Sequence, residues 1–230
     1  RAGEPGWNAA EIVDGPGKLY PRPVKKLEIL PRAAAEVVCA GVYREEDVSG
    51  TPAERMQRAY LSFKKCARAA LPSEAGAEYA YAGGDGMYLL NDLGREEAGL
   101  FDLELEVAAP CEALVGWGEH TDDMRLRTWV GGRNFGARYM ARAGRQRFTH
   151  WFGRMGLRYI QLFIAAPEVK LFYAGVLPTP YPLPPMRLNT SDALHDRIAR
   201  VSARTLELCM HEHYEDRPWR EQALYAMDSR

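Results

Sequence analysis

Five prolines fall within nine residues, Leu177-Pro178-Thr179-Pro180-Tyr181-Pro182-Leu183-Pro184-Pro185. Each one fixes φ and removes a backbone donor, so neither a helix nor a central strand can run through the stretch. An extended, stiff connection is what remains. The chain must therefore fold as one thing before this run and as another after it, and the residue patterns on the two sides agree.

On the N-terminal side, residues 1–33 carry Pro5, Pro16, Pro21, Pro23 and Pro31 among several glycines, which predicts an extended, wrapping segment. Glu36 to Tyr43 reads as a strand. Thr51-Pro52-Ala53-Glu54 has the elements of a capping box, with Thr51 as N-cap, Pro52 at the first helical position and Glu54 at the third. Met56, Tyr60, Phe63 and Ala67 then recur at helical spacing, which predicts a helix from about Pro52 to Ala69. Gly83-Gly84-Asp85-Gly86 is turn chemistry, and no Gly-Lys-Ser/Thr follows it to make a phosphate loop.

From Met87 to Val176 the period falls to two. Leu103, Leu105 and Val107 alternate with Asp102, Glu104 and Glu106, as in a strand with one wet face. Ala113 to Trp117, Arg125 to Val130, Arg158 to Ile164 and Leu171 to Val176 continue the series, with glycines and Asn/Asp turns between them. The expected class is mainly β with α, an antiparallel β-sandwich. Beyond the prolines, Thr190 or Ser191 can cap a helix with Asp192 in its first turn. Leu194, Ile198, Val201, Thr205 and Leu208 mark its apolar face as far as about Met210.

The implied organisation is an extended segment with one helix over 1–85, a sandwich over 86–177, a proline-rich linker over 178–187 and a helical start over 188–230. About forty residues of helix cannot enclose a core. They must pack on the sandwich or open a larger helical domain, so the chain is expected to be a slice of a longer protein.

Net charge is −1, which gives no global electrostatic pull toward nucleic acid or an anionic membrane. Apolar runs such as Ile160 to Ala166 fall far short of the ~20 residues that span a bilayer. Cys39, Cys66, Cys111 and Cys209 lie far apart, without a CxxC pair or metal-ligand spacing. Reduced thiols, no metal and no cofactor are the expectation, together with a cytoplasmic setting; a periplasmic or secreted one stays open if a leader was removed. One competing signal is the segment Met124 to Pro167, with nine arginines, no lysine and no acid among many aromatics. It fits single-stranded nucleic acid, or a sandwich face whose arginines pair with the acids of Asp92 to Glu119.

Polar chemistry concentrates in His211-Glu212-His213-Tyr214-Glu215-Asp216-Arg217-Pro218-Trp219-Arg220-Glu221-Gln222. Pro218 ends one element and opens the next. A helix from about Trp219 would place Glu221, Tyr225 and Asp228 on one face. Carboxylates and Arg bind vicinal hydroxyls, an indole covers an apolar sugar face, and a carboxylic acid protonates a leaving oxygen. Acids that merely complement a helix dipole are the plain alternative. Cys209, His211 and His213 do not have the spacing of a helical metal motif.

The run Glu-Asp-x-Pro-Trp-Arg-Glu-Gln-Ala-Leu-Tyr-Ala-Met-Asp-Ser-Arg, from Glu215 to Arg230, resembles the entrance to the catalytic domain of bacterial α-L-rhamnosidases, glycoside hydrolase family 78. Asp92-Leu93-Gly94 with Gly99, Gly116-Trp117-Gly118-Glu119, Phe148 to Ile160, and Trp7 followed by Leu19-Tyr20-Pro21-Arg22-Pro23 resemble the region that precedes it. The resemblance implies a sandwich followed by the first helices of an (α/α) six-hairpin barrel. It also implies an inverting hydrolase acting on a rhamnose-containing glycoside. It makes Glu221 the general acid, Asp216 and Asp228 sugar-pocket carboxylates, and Arg220 their neighbour, with Trp219 beside them. The catalytic base would lie further downstream, which leaves this chain inactive alone. Arg217 stands where the family usually has Cys, and Gln222 occupies the alternative position of the acid. A non-catalytic sugar-binding sandwich, using Trp117, Trp129 or Trp151, is the nearest rival.

Overall fold

The computed structural model describes residues 11–69, 74–184 and 190–225. Elements follow in chain order: β1 (Ala33–Ala34), β2 (Glu36–Arg44), α1 (Pro52–Arg58), β3 (Tyr60–Ala69), β4 (Ala77–Ala80) and β5 (Gly86–Val107). After these come β6 (Cys111–Gly118), the two-residue strands β7 (Thr121–Asp122), β8 (Arg125–Leu126), β9 (Trp129–Val130) and β10 (Arg133–Asn134), then β11 (Gly136–Ala141), β12 (Gly144–Ile164), β13 (Glu168–Pro178) and α2 (Ala193–Leu208).

Two long strands, β5 and β12, organise the molecule. They pair antiparallel along nearly their whole length, from Gly144 opposite Val107 to Ile164 opposite Met87. In one half, β5 pairs on its other side with β2, and β12 with β6, which in turn carries β11. In the other half, β5 pairs with β13, and β1 and β4 border β13. The bend between the halves is built from particular residues. Gly94 takes φ +78. Asp92 accepts hydrogen bonds from the Gly94 N–H at 2.7 Å and from Arg158 Nε at 2.9 Å, where the β12 register also breaks. Leu103, Leu105 and Val107 from one half meet Met87, Leu89, Val115, Ile160 and Leu162 from the other in one apolar core. The result is a β-sandwich-like, mainly β fold. The sheet crosses the boundary expected at 85, because β2 and β3 belong to it.

Three expectations change on contact with the structure. The capping box forms as read, with Thr51 Oγ1 accepting from the Glu54 N–H and Glu54 Oε2 from the Thr51 N–H. The helix stops at Arg58, however, and residues 60–69 form β3, paired to β2. Leu61 and Phe63 are half-buried between exposed Tyr60, Ser62 and Lys64, a period of two that pairing to β2 selects over the helical reading. Asp102 is fully buried rather than on a wet face. It accepts from Arg147 and Thr149 and is paired with Arg32 at 2.8 Å, partners that offset the loss of water. Thirdly, Asp192 caps α2, accepting from the Leu194 N–H at 2.8 Å. Leu194, Ile198 and Val201 face outward, and Leu208 is the buried member of the stripe. What docks α2 on the bend is Arg204, which donates to Glu97 Oε2 at 2.7 Å and to the Glu96 carbonyl at 3.0 Å.

The described part of the proline run, up to Pro184, is extended. The Leu30 N–H donates to the Pro178 carbonyl and the Glu28 N–H to that of Pro180. Pro185 and Asn189 lie outside the described residues, as does Trp7. Within the arginine-rich segment, Arg138, Arg145, Arg147 and Arg158 pair with Glu112, Glu104, Asp102 and Asp92.

Candidate functional site

After α2 the chain reverses. A bridge joins Met210 to Tyr214, and the Glu215 N–H returns to the Cys209 carbonyl at 2.7 Å. Residues 218–221 then form a turn where a helix was expected. Gln222 explains the stop. It adopts φ +53, and its side-chain amide donates to the carbonyls of Pro218 and Arg154. A helix cannot continue through a residue in that conformation.

The turn brings the expected carboxyls together. Asp216 Oδ1 accepts from the Ala223 N–H at 2.9 Å, and its Oδ2 accepts from Arg217 Nε at 2.9 Å. Glu221 lies near enough to Asp216 to act on its carboxyl. Burial pushes the Asp216 carboxyl up, but the bonds from Ala223 and Arg217, with Glu221 beside them, outweigh it and hold it below the usual carboxylate range. Glu221 itself is held by Arg220 Nη2 at 3.0 Å and by the Tyr225 hydroxyl at 3.2 Å, with Arg133 Nη1 at 3.9 Å. Glu221 and Tyr225 thus meet without a helix. Asp228 lies outside the described residues.

Trp219 differs from the expectation of an indole lying over a sugar. It is 7% exposed, its ring centroid 4.9 Å from that of Phe135 and 5.6 Å from that of His120. A Cβ on Gly118 would come within 3.0 Å of its ring. The indole anchors the turn to the sheet, because that burial removes its faces from water and leaves none for a ligand.

Sequence reasoning missed the sheet's contribution to this mouth. Arg133 comes from β10. Glu119, just past β6, is raised by burial, against the pull of His120, Arg217 and Arg220. Next to it, Glu96 on the bend of β5 is pushed up to about 8 by burial, with Glu119 and Glu97 adding to the effect and Arg204 and Arg158 opposing it. No local pattern marks these residues, since only the fold brings Arg133 and Glu119 to residues 217–221 and Glu96 to Glu119.

No family model matches the chain, and no curated protein matches it either. Among solved structures it is similar to the GH78 family rhamnosidase of Bacillus sp. GL1, with a TM-score of 0.61 and 28% identity over 69% of this chain. It is also similar to a rhamnosidase from Klebsiella oxytoca with rhamnose bound, with a TM-score of 0.58 and 15% identity over 87% of this chain. The chain spans 17% of the first protein and 38% of the second. The β-sandwich-like fold is therefore one that occurs within glycoside hydrolases.

Proposed function

We propose that the chain belongs to an inverting glycoside hydrolase that releases terminal α-L-rhamnose, with Glu221 as general acid. Asp216, Arg220 and Asp228 would hold sugar hydroxyls. The observation that carries this reading is that one turn gathers both carboxyls among arginines, with Arg217 Nε on Asp216 at 2.9 Å and Arg220 Nη2 on Glu221 at 3.0 Å. The turn is ringed by Arg133, Arg217 and Arg220, and Glu221 would protonate the departing glycosidic oxygen there. An inverting enzyme also needs a base carboxylate roughly 6.5–9.5 Å across the sugar from the acid. We assign that base to no described residue.

The test is a titration of the chain with L-rhamnose, followed through backbone amide chemical shifts. Shifts should move at 216–223, and Glu221→Gln should preserve binding. The chain alone should not turn over an aryl α-L-rhamnoside. Absence of any response at 216–223 would refute the site, and robust hydrolysis abolished by Glu221→Gln would refute the assignment of the base elsewhere.

A second reading has its own observation. Trp151 is 58% exposed next to a fully exposed Phe152, where the β12 register breaks. Aromatic rings on a strand suit a non-catalytic sugar-binding surface. Shifts confined to 150–153 in the same titration would favour it.

A further inference from the structure

The register of β12 breaks between Thr149, opposite Asp102, and Arg154, opposite Leu100. Such bulges re-aim the side chains beside them. The Arg154 side chain leaves the sheet and lies in the seam between β12, the chain after α2 and the proline run. Its side chain is 7% exposed, yet all three nitrogens are used. Nη1 donates to Glu215 Oε2 at 2.8 Å, Nη2 to the carbonyls of Leu208 and Met210 at 3.2 Å each, and Nε to Thr179 Oγ1 at 3.2 Å.

These partners have a meaning in the chain. Leu208 ends α2, so its carbonyl and that of Met210 lack helical donors, and a cation suits a helix C-terminus. Glu215 immediately precedes Asp216. The backbone of Arg154 takes part as well, because its carbonyl accepts from Gln222 Nε2 at 3.1 Å. One residue thus grips the segment at 215 through its side chain and at 222 through its main chain. Asp216, Arg220 and Glu221 lie between the two grips. A lysine has no planar fork with which to serve an acid, two carbonyls and a hydroxyl at once.

We propose that Arg154 is a positioning residue that sets the register of the Asp216–Glu221 turn against the end of α2, without itself reaching the sugar. The sugar-binding part of this inference rests on the rhamnosidase reading; the positioning of the turn does not. The competing view is that Arg154 only neutralises Glu215, which is buried.

Arg154→Met alone would strand a buried carboxylate and confound the result. The decisive variant is therefore Arg154→Met/Glu215→Met, made in the intact chain beside Arg154→Lys. Two readouts are needed: hydrogen exchange at 216–223 relative to β5, and affinity for L-rhamnose. In the double variant the β5 amides should stay protected, while those of 216–223 exchange at least about tenfold faster, as expected from losing bonds to a charged donor. Affinity for L-rhamnose should fall by a similar factor, with Arg154→Lys in between. Native exchange at 216–223 in the double variant would overturn the proposal and leave Arg154 a counter-ion. If the unmodified chain binds no L-rhamnose, the rhamnosidase reading fails, and the exchange measurement still decides whether Arg154 holds the turn.

Discussion

The Asp216 N–H donates to the Ala223 carbonyl at 2.9 Å, and the Ala223 N–H donates back to Asp216 Oδ1 at 2.9 Å. This reciprocal pair closes the loop that carries Arg220 and Glu221. Burial raises the Asp216 carboxyl, but the bonds from Ala223 and Arg217, with Glu221 beside them, win and lower it below the usual 3.8. A group lowered in the folded state stabilises it above the unfolded value, and that stabilisation is lost as pH falls through the folded value. The loop should therefore hold above about pH 3.8 and loosen below the lowered value. The Ala223 amide chemical shift should report this titration. Asp216→Asn keeps an acceptor for Ala223 and should abolish the titration; Asp216→Ala should lose both the titration and the loop's protection from exchange.

The second prediction concerns a contact that only a missing side chain allows. A Cβ on Gly156, in β12, would lie 2.3 Å from the carbonyl carbon and oxygen of Pro218. Backbone cannot yield as a flexible side chain can. Gly156→Ala should cost about 1–3 kcal/mol and displace the turn while the sheet persists. Thermal melts would give the cost. Exchange confined to 216–223 would show where it falls, whereas a uniform loss of protection across β5 and β12 would contradict the assignment.

What the sequence makes legible here is local. Thr51 and Glu54 announce their capping box because both partners lie within one turn. The alternation of Leu103, Leu105 and Val107 is visible because a strand's period needs no knowledge of its neighbours. The resemblance carried by Glu215 to Arg230 singles out Asp216 and Glu221, the two carboxyls that the turn brings together. What stays hidden is set by distant partners. Tyr60 and Phe63 fit a helix until β2 offers hydrogen bonds. The burial of Asp102 depends on Arg32 and Arg147 from far along the chain. Leu194, Ile198 and Val201 mark an apolar face of α2 that stays exposed, because periodicity reports a stripe but not what covers it. Arg133 and Arg154 carry no local signal, being two arginines among nine in their segment.

A third prediction follows from the bend of β5. Glu96 is pushed up to about 8 by burial first, then by Glu119 and Glu97, while Arg204 of α2 and Arg158 of β12 pull the other way. Its Oε1 has no hydrogen-bond partner among the described residues. Because the folded value lies above the unfolded one, the stabilising effect is full below about 4.5 and disappears as pH rises through about 8. Stability should therefore decline across that interval. Glu96→Gln should flatten the decline and leave the variant more stable at pH 9, by on the order of 2 kcal/mol after allowance for partial solvent screening. Urea midpoints at several pH values would measure this; parallel curves for the two proteins would sink it.

The last prediction separates an anchor from a sugar platform at Trp219. The ring is packed between Phe135 and His120 over Gly118, and its Nε1 has no hydrogen-bond partner among the described residues. Truncation to Ala should open a cavity worth about 3–5 kcal/mol and release the turn, carrying Asp216 and Glu221 away from Arg133 with it. Phe keeps much of the apolar contact and sacrifices no bond, so Trp219→Phe should retain both the turn and affinity for L-rhamnose. A stacking platform behaves otherwise: its emission would shift on sugar binding, and exchange of indole for a smaller ring would weaken affinity even in a protein of native stability. Fluorescence and binding measured on Trp219→Phe beside the parent chain therefore tell the two roles apart. A loss of affinity at unchanged melting temperature would show that the indole reaches the sugar after all.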